Sequence, residues 1–137
     1  MKSLTIFDVA GRAMAAQQVR LNTVASNLAN VMSISGSPDN VYKPIKPIFE
    51  TQYSNVPGNN GIATVDTVGI EASKADPEKR YEPNHPMADK DGYIYAPPID
   101  QNAEMVDMLE TSRQYQNNIE VLSTAKTLLL KTINVGK

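Results

Sequence analysis

The 137-residue chain contains no cysteine and no tryptophan, and it has only two phenylalanines. Without cysteine the chain has no disulfide, no thiol nucleophile and no thiolate metal site. Its apolar side chains are mainly Leu, Ile, Val, Met and Ala. This length is typical of a single domain.

An excess of charge of either sign is also missing. Thirteen Lys and Arg residues stand against fifteen Asp and Glu residues, a formal net charge of −2, so the basic footprint of a nucleic-acid-binding protein is absent. No run of 18 apolar residues occurs, and we therefore expect no direct membrane span. Asp8 and Arg12 interrupt what would be the apolar region of a signal peptide, so we expect no cleaved secretory signal.

Patterns that indicate catalysis or metal binding are few. His85 is the only histidine, and a single loop histidine is more often a hydrogen-bonding surface residue than a base or a ligand. Residues 89–92, Asp-Lys-Asp-Gly, resemble a fragment of a calcium-binding loop but lack its glutamate at the twelfth position, which favours a simple Asp-Gly turn. No glycine-rich phosphate loop is present. We predict no catalytic residue, no cofactor and no metal.

Two long amphipathic stretches lie at opposite ends of the chain, at about residues 4–30 and 102–133. As helices they would span roughly 40 and 48 Å, which is longer than a domain of this size is wide. We predict an α+β protein in which the N-terminal helix (1–32) and the C-terminal helix (101–137) pair as a coiled-coil-like core. Residues 33–100 would form a middle segment that contains a small β-hairpin.

Apolar residues recur at spacings of three and four in both stretches, as in a helix–helix seam. The stripe on the second helix is wider than one partner requires, which predicts contacts with further helices. The outer face of the first helix carries amides and hydroxyls instead of Lys–Glu pairs, which favours a protein neighbour; it comprises Gln18, Asn22, Ser26 and Asn27. We expect contacts between subunits at Phe7, Met14, Leu21, Val24, Leu28, Met105, Met108, Tyr115, Ile119, Leu122 and Leu129.

The middle segment has strand and turn patterns. Residues 41–53 and 62–71 are expected to form the two strands of a hairpin with a long loop at 56–61. In the second strand, the alternation places Ile62, Val68 and Ile70 on one face and Ala63 and Val65 on the other. A turn at Asp91-Gly92 should precede a short strand at 93–95. Asp100 is the expected N-cap of the second helix.

Several of these segments resemble one known family. Residues 20–30, Arg-Leu-Asn-Thr-Val-Ala-Ser-Asn-Leu-Ala-Asn, resemble the N-terminal signature shared by bacterial flagellar rod and hook proteins. Residues 81–93 and 104–116 resemble the proximal-rod branch of that family, whereas 33–80 carries little of the likeness. The motif residues are Ala25, Ser26, Asn27, Asn30, Asn84, His85 and Pro86. Met87, Thr111 and Asn117 depart from the family pattern, which affects local contacts only.

The resemblance implies a structural subunit of the flagellar basal-body rod, the drive shaft that transmits torque across the periplasm and surrounds the export channel. It also implies export by the flagellar type III apparatus without a cleaved signal. The implied partners are other copies of the chain and other rod proteins. The middle segment could contact the surrounding rings or the cell wall.

Two other classes of function stay open from the residues alone. A generic coiled-coil adaptor or secretion-system component would have the same terminal helices. A small hydrolase would use His85 with Asp89 or Asp91. An active purified monomer would favour the hydrolase over both assembly roles.

Overall fold

The computed structural model describes residues 5–53 and 63–135. The elements in this part of the chain are α1 (Ile6–Asn30), a short 3-10 helix (Pro38–Asn40), β1 (Ile45–Tyr53), β2 (Ala63–Ala72), β3 (Glu78–Tyr81), β4 (Tyr93–Ala96) and α2 (Gln101–Val135). The helices pack against each other, and the strands form two separate two-stranded sheets. The α+β prediction is confirmed. The expected helix start at residue 4, the loop at 56–61 and the position of Ile62 lie outside the described residues.

Both ends of α1 follow from local hydrogen bonding. The Thr5 hydroxyl accepts from the Asp8 N–H at 3.3 Å, and the Asp8 carboxylate accepts from the Thr5 N–H at 2.9 Å. This capping box pairs two N–H groups that the helix leaves without partners. At the other end, the Ser33 hydroxyl donates to the Asn30 carbonyl at 2.7 Å. The predicted end at Asn30 is confirmed.

α2 begins where the sequence predicts. The Asp100 carboxylate accepts from the N–H groups of Asn102 and Ala103 at 2.9 and 3.2 Å, which is the geometry of an N-cap. The 35 residues of α2 extend roughly 52 Å at 1.5 Å per residue. The start of α2 lies beside the end of α1, with Asn27 bonded to Glu104 and Gln17 bonded to Gln114. The two helices are therefore antiparallel.

β1 and β2 form the predicted antiparallel hairpin, with pairs from Ile45–Ala72 to Tyr53–Ala63. Ile48 pairs with Gly69 and Phe49 with Thr67, which leaves Val68 without a partner in a β-bulge. The extra residue changes the alternation, so Val65, Val68 and Ile70 are all exposed. The predicted division of these three side chains between two faces is therefore wrong.

The part of β2 that faces α1 is polar. Thr64 is buried, and its hydroxyl and the carboxylate of Asp66 both lie near Arg12 of α1. The Arg12–Asp66 ion pair measures 2.8 Å between Nη1 and Oδ2, with both side chains partly exposed. This contact fixes the hairpin across the first half of α1.

The second sheet joins the predicted strand, β4, to an unpredicted one, β3. β3 reads Glu-Lys-Arg-Tyr and is exposed throughout, so no apolar alternation marks it. Lys79 Nζ lies 3.8 Å from the centre of the Tyr93 ring, and the Tyr81 ring meets Tyr93 edge to face at 5.2 Å. Ser35 and Tyr95 exchange two backbone hydrogen bonds of 2.9 Å, which tie the chain after α1 to this sheet.

The buried apolar core is small. Within the described residues, the buried apolar side chains are Ala10, Ala16, Val24, Val41, Ile94 and Ala96. Most of the large apolar side chains of α2 are exposed instead, and Thr111 is the only buried residue assigned to this helix. A fold with this distribution leaves much of its apolar surface for contacts outside the chain.

Gly92 in the β3–β4 turn provides a test of the fold. Its φ is +81°, and a Cβ there would lie 3.0 Å from the Tyr81 ring and 3.1 Å from Pro83 Cβ. Gly92→Ala should lower the free energy of unfolding by about 1–3 kcal/mol, measured by urea denaturation. Gly11→Ala is the control, because its Cβ meets nothing within 4 Å and alanine stabilises a helix interior by about 0.5–1 kcal/mol. Equal effects of the two changes would contradict the turn geometry.

Candidate functional site

Asn27 is the point at which both helices and the first strand meet. Its Nδ2 donates to the Ile45 carbonyl at 3.0 Å and to Glu104 Oε1 at 3.3 Å. Its Oδ1 accepts from the Ile45 N–H at 2.9 Å and from the Tyr42 hydroxyl at 3.0 Å. The side chain is 1% exposed, and its full set of two donors and two acceptors is used.

Asn27 is therefore buried, although the sequence pattern predicts it on the outer, amide-rich face of the first helix. Gln18 and Asn22 are exposed as predicted, and Ser26 is half-buried, but Asn27 is inside the chain. The difference arises because β1 leaves the N–H and C=O of Ile45 directed away from β2. A buried peptide group needs partners, and the carboxamide of Asn27 supplies both.

The contact between α1 and α2 is also largely polar. Arg20 bonds to both carboxylate oxygens of Asp107, with Nε–Oδ2 at 3.3 Å, and both side chains are about one-third exposed. Gln17 Nε2 donates to Gln114 Oε1 at 2.8 Å. These residues lie on facing positions of the two helices, whereas the sequence pattern predicts an apolar seam between them.

Small side chains let the helices approach each other between these polar pairs. Thr23 and Thr111 are 2% and 0% exposed. Each hydroxyl donates to a carbonyl of its own helix, Thr23 to Arg20 and Thr111 to Asp107. Their hydroxyls thus have partners without reaching across the interface. Ala10 and Ala16 add further buried positions without bulk.

The residues expected at subunit contacts have three different environments. Val24 is buried within the chain at 3% exposure, so it cannot serve as an outward contact in this conformation, and that part of the prediction is wrong. Half-buried positions are Met14, Leu21, Leu28, Met108, Tyr115 and Leu122. Exposed positions are Phe7, Met105, Ile119 and Leu129. The heptad pattern drifts around a straight helix, which accounts for the mixture.

An apolar groove lies between the start of α1 and the second half of α2. It encloses about 400 Å³ and is lined by Ile6, Phe7, Val121, Thr124, Ala125, Leu128, Leu129 and Thr132. Ile6 and Leu128 are more than half exposed. The groove continues the apolar surface of α2 onto α1.

The motif residues Asn84, His85 and Pro86 lie in the turns between β3 and β4. His85 Nδ1 accepts from the Met87 N–H at 3.1 Å, and the backbone N–H of His85 donates to the Glu82 carbonyl. Asn84 and Pro86 are exposed. His85 thus has the hydrogen-bonding role of a turn residue. A Cβ on Gly36 would lie 2.6 Å from the Met87 carbonyl oxygen, so the chain after α1 packs closely on this turn.

Asp89 organises the end of the same turn. Its Oδ1 accepts from the N–H groups of Tyr93 and Asp91 at 2.8 and 2.9 Å, and its Oδ2 accepts from the Tyr95 hydroxyl at 3.2 Å. The hydrogen bond from the Tyr93 N–H, with those from Asp91 and Tyr95, holds the pKa of the Asp89 carboxyl below its ordinary value. Desolvation, followed by the bond to Asp89, raises the pKa of Tyr95.

Neither a metal cluster nor a membrane span is found in the described segments. Residues 5–53 and 63–135 contain no group of three or more His, Cys, Asp and Glu side chains placed to hold a metal ion. No helix among them is long and apolar enough to cross a bilayer.

Comparisons with known proteins match both helices and the whole chain. Residues 7–31 match the family described as flagella basal body rod protein, and residues 90–135 match the C-terminal family of the flagellar basal body rod FlgEFG proteins. The chain is 41% identical to flagellar basal-body rod protein FlgC of Salmonella typhimurium, 40% to that of Escherichia coli O157:H7 and 37% to that of Yersinia enterocolitica. Each alignment covers 100% of both proteins. The chain belongs to the FlgC family.

Membership of the FlgC family settles the main function. The chain is a structural subunit of the flagellar basal-body rod, and its family has a structural role and is not known for catalysis. The resemblance read from residues 20–30 and 81–93 is confirmed, because the likeness extends over the full length. The unpredicted parts of the site are Arg20, Glu104, Asp107 and Gln114.

Asn27 should be the most sensitive position in the helix pair. Asn27→Ala removes the partner of part-buried groups of Ile45, Glu104 and Tyr42, and a fully buried group left in this way costs about 1–3 kcal/mol. We expect the free energy of unfolding to fall by more than about 2 kcal/mol in urea denaturation. Asn22→Ala, on the exposed side of the same helix, should change it by less than about 0.5 kcal/mol. Similar losses in the two variants would refute the central role of Asn27.

The Asp89 carboxylate should give the turn a defined acid sensitivity. Because its pKa is lower in the folded state than the ordinary 3.8, it stabilises the fold above that value. The stabilisation is lost as the pH falls through the folded-state pKa. The stability advantage of the wild type over Asp89→Asn should therefore shrink as the pH falls below 3.8, in denaturation curves at several pH values.

The matched control for this titration is Asp91→Asn. Asp91 contributes its backbone N–H to the turn, and the substitution keeps that bond. If the difference in free energy of unfolding between the wild type and Asp89→Asn stays constant down to pH 2, the Asp89 carboxylate is not the source of the acid sensitivity.

Proposed function

We propose that the exposed apolar surface of the paired terminal helices is the assembly interface of this rod subunit. The observation that carries the proposal is that polar side chains join the two helices, while large apolar side chains of α2 are exposed. Its internal contacts are Arg20–Asp107, Gln17–Gln114 and Asn27–Glu104, whereas Met105, Leu109 and Leu130 on α2 are 51%, 68% and 52% exposed. A helix that exposes this much apolar area is expected to have a protein neighbour.

The energy available from these positions is large. Fully burying an exposed Leu, Ile or Met side chain contributes roughly 1.5–3 kcal/mol, and roughly half of that remains available at sites that are about half exposed, such as Met105 and Leu130. The exposed set on α2 comprises Met105, Val106, Leu109, Ile119, Val121, Leu128, Leu129, Leu130, Ile133 and Val135. Neighbouring subunits that covered even half of these side chains would form a stiff array, because each displacement would disturb many contacts at once.

In this proposal the chain works mechanically in the proximal rod. Helices packed side by side around a central channel would carry torque across the periplasm through many shared contacts. The chain would reach this position through the flagellar type III export apparatus, without a cleaved signal. Its partners would be other copies and other rod proteins. The bulged hairpin of β1 and β2 would face a neighbour or a surrounding ring.

Substitutions on the outward face should separate assembly from folding. Ile119→Asp or Met105→Asp places a carboxylate on an exposed site, so the chain should fold and be exported normally. The same carboxylate would be desolvated at a subunit contact, so rods and motility should be lost. The measurement is swimming in a strain lacking the native gene, with export scored in the culture medium. Gln116→Asp, at an exposed polar site between them, is the control and should support swimming.

Leu21→Asp and Leu122→Asp test the half-buried edge of the pair. Both should block rod assembly while leaving export intact, because an exported chain is unfolded in transit. Normal motility in these variants together with the Ile119 variant would refute the assigned interface.

Hydrogen exchange tests the same proposal without substitution. Amides of residues 6–30 and 101–135 should exchange more slowly in isolated basal bodies than in the purified chain, since assembly covers the apolar faces. Equal protection in the two samples would show that assembly does not cover these helices and would refute the assigned interface.

A further inference from the structure

The β1–β2 hairpin is bonded to α1 at two well-separated places. At its base, both backbone groups of Ile45 are bonded to Asn27, which is 1% exposed. Near its tip, Asp66 Oδ2 lies 2.8 Å from Arg12 Nη1, and the Thr64 hydroxyl lies 3.5 Å from the same nitrogen. Asn27 and Arg12 are 15 residues apart on α1, or roughly 22 Å at 1.5 Å per residue. The hairpin is thus held by a buried amide at one end and by an ion pair at the other.

The two attachments differ in strength. The bonds between Asn27 and Ile45 are shielded from water because the Asn27 side chain is buried. The side chains of Arg12 and Asp66 are 46% and 41% exposed, and an ion pair at such sites changes an equilibrium by no more than about fivefold. We define the tip half of the hairpin as residues 50–53 and 63–66. Among these eight residues Thr64 alone is buried, so little besides the ion pair holds the tip half on α1.

A β-bulge lies between the tip half and the base of the hairpin. The register shifts between Ile48 and Phe49, and Val68 has no partner in the ladder. Gly69 follows it, and a Cβ there would meet nothing within 4 Å. A bulge disrupts the ladder and bends the strand, and glycine weakens a strand interior. Phe49 lines a cavity of about 360 Å³ between β1 and the two helices, which leaves space for movement beside the bulge.

We propose that the tip half of the hairpin is a strap that pivots at the Val68 bulge and is latched to α1 by the Arg12–Asp66 ion pair. In the latched position Thr64 is 2% exposed. In the released position the ion pair is broken and the tip half stands away from α1, while Ile45 stays on Asn27. The cross-strand bonds on both sides of the bulge are kept, because the unpaired residue takes up the movement.

The strap lets the hairpin change position without disturbing the helix pair. The contacts Arg20–Asp107 and Gln17–Gln114 hold α1 against α2 and involve no residue of the tip half. A neighbour that binds one of the two positions better shifts the hairpin toward that position. The inference goes beyond the proposed interface on α2 and does not depend on it.

Spin labels on introduced cysteines can follow the strap in the full chain, because the chain has no cysteine of its own. Gln18→Cys on α1 is combined either with Thr51→Cys in the tip half or with Ile70→Cys in the base, all three at exposed positions. The distance between the labels is measured by double electron–electron resonance at low salt. We expect a latched and a released distance for the 18–51 pair and a single distance for the 18–70 pair.

Removal of the latch should shift the two populations. Asp66→Asn should increase the released fraction of the 18–51 pair about two- to fivefold. Salt at 1 M should do the same in the chain that keeps Asp66 and should add nothing to Asp66→Asn, because salt screens an exposed ion pair. Glu71→Gln is the matched control, since it removes the other ion pair of the hairpin, Glu71–Lys74 at 3.9 Å. It should leave both label pairs unchanged.

Deletion of Val68 tests the pivot separately. Without Val68 the ladder is continuous and keeps the same pairs on both sides, so the released distance should be lost. A released fraction that survives the deletion, or an 18–70 distance that shifts together with the 18–51 distance, would overturn the pivot. One 18–51 distance that is the same with and without Asp66→Asn would overturn the latch. This last comparison uses no deletion, so it holds even if the shortened hairpin does not fold.

Discussion

The carboxamide of Asn27 is the interaction on which the arrangement of helices and strands depends. Ile45 presents both its N–H and its C=O to α1, yet the backbone groups of a helix interior are already paired with each other. A side chain with donors and acceptors at one end must replace the missing strand. Asn27 does this with bonds of 2.9 and 3.0 Å and uses its remaining capacity on Tyr42 and Glu104. An aspartate has no N–H donors, and a leucine has neither donors nor acceptors.

The pairing of α1 and α2 follows from this fixed point. With Asn27 holding Glu104, the antiparallel helices bring Arg20 to Asp107 and Gln17 to Gln114. The interface is held by polar pairs and small buried residues, and most of the large apolar side chains of α2 are exposed. Polar contacts at partly exposed sites contribute modestly to stability because water competes for the same groups. The polar contacts thus fix how the two helices align. The exposed apolar side chains of α2 contribute little to the stability of the pair in a single chain.

The sequence predicts the terminal helices well because their signals are local. The Asp100 cap, the end at Asn30 and the Asp91-Gly92 turn are all confirmed by hydrogen bonds or by the φ of Gly92. The position of Asn27 could not be predicted, since its partners are 15 to 77 residues distant along the chain. The bulge at Val68 could not be predicted either, because a register shift depends on the partner strand. Apolar spacing identifies a helix face, but it does not say whether the face meets the same chain or another.

The charges at the start of α2 help to hold the chain's own fold together. Carboxylates near a helix start and lysines near its end favour the helix dipole, but that effect fades beyond the first and last turns. Glu110 lies nine residues after Gln101, and both Lys126 and Lys131 lie before the last turn. Their contribution to the dipole is therefore small. Glu104 and Asp107 are instead engaged by Asn27 and Arg20 of α1, and Glu110 accepts a hydrogen bond from Gln114. The acidic start of α2 thus serves the contact with α1 more than it serves the helix dipole.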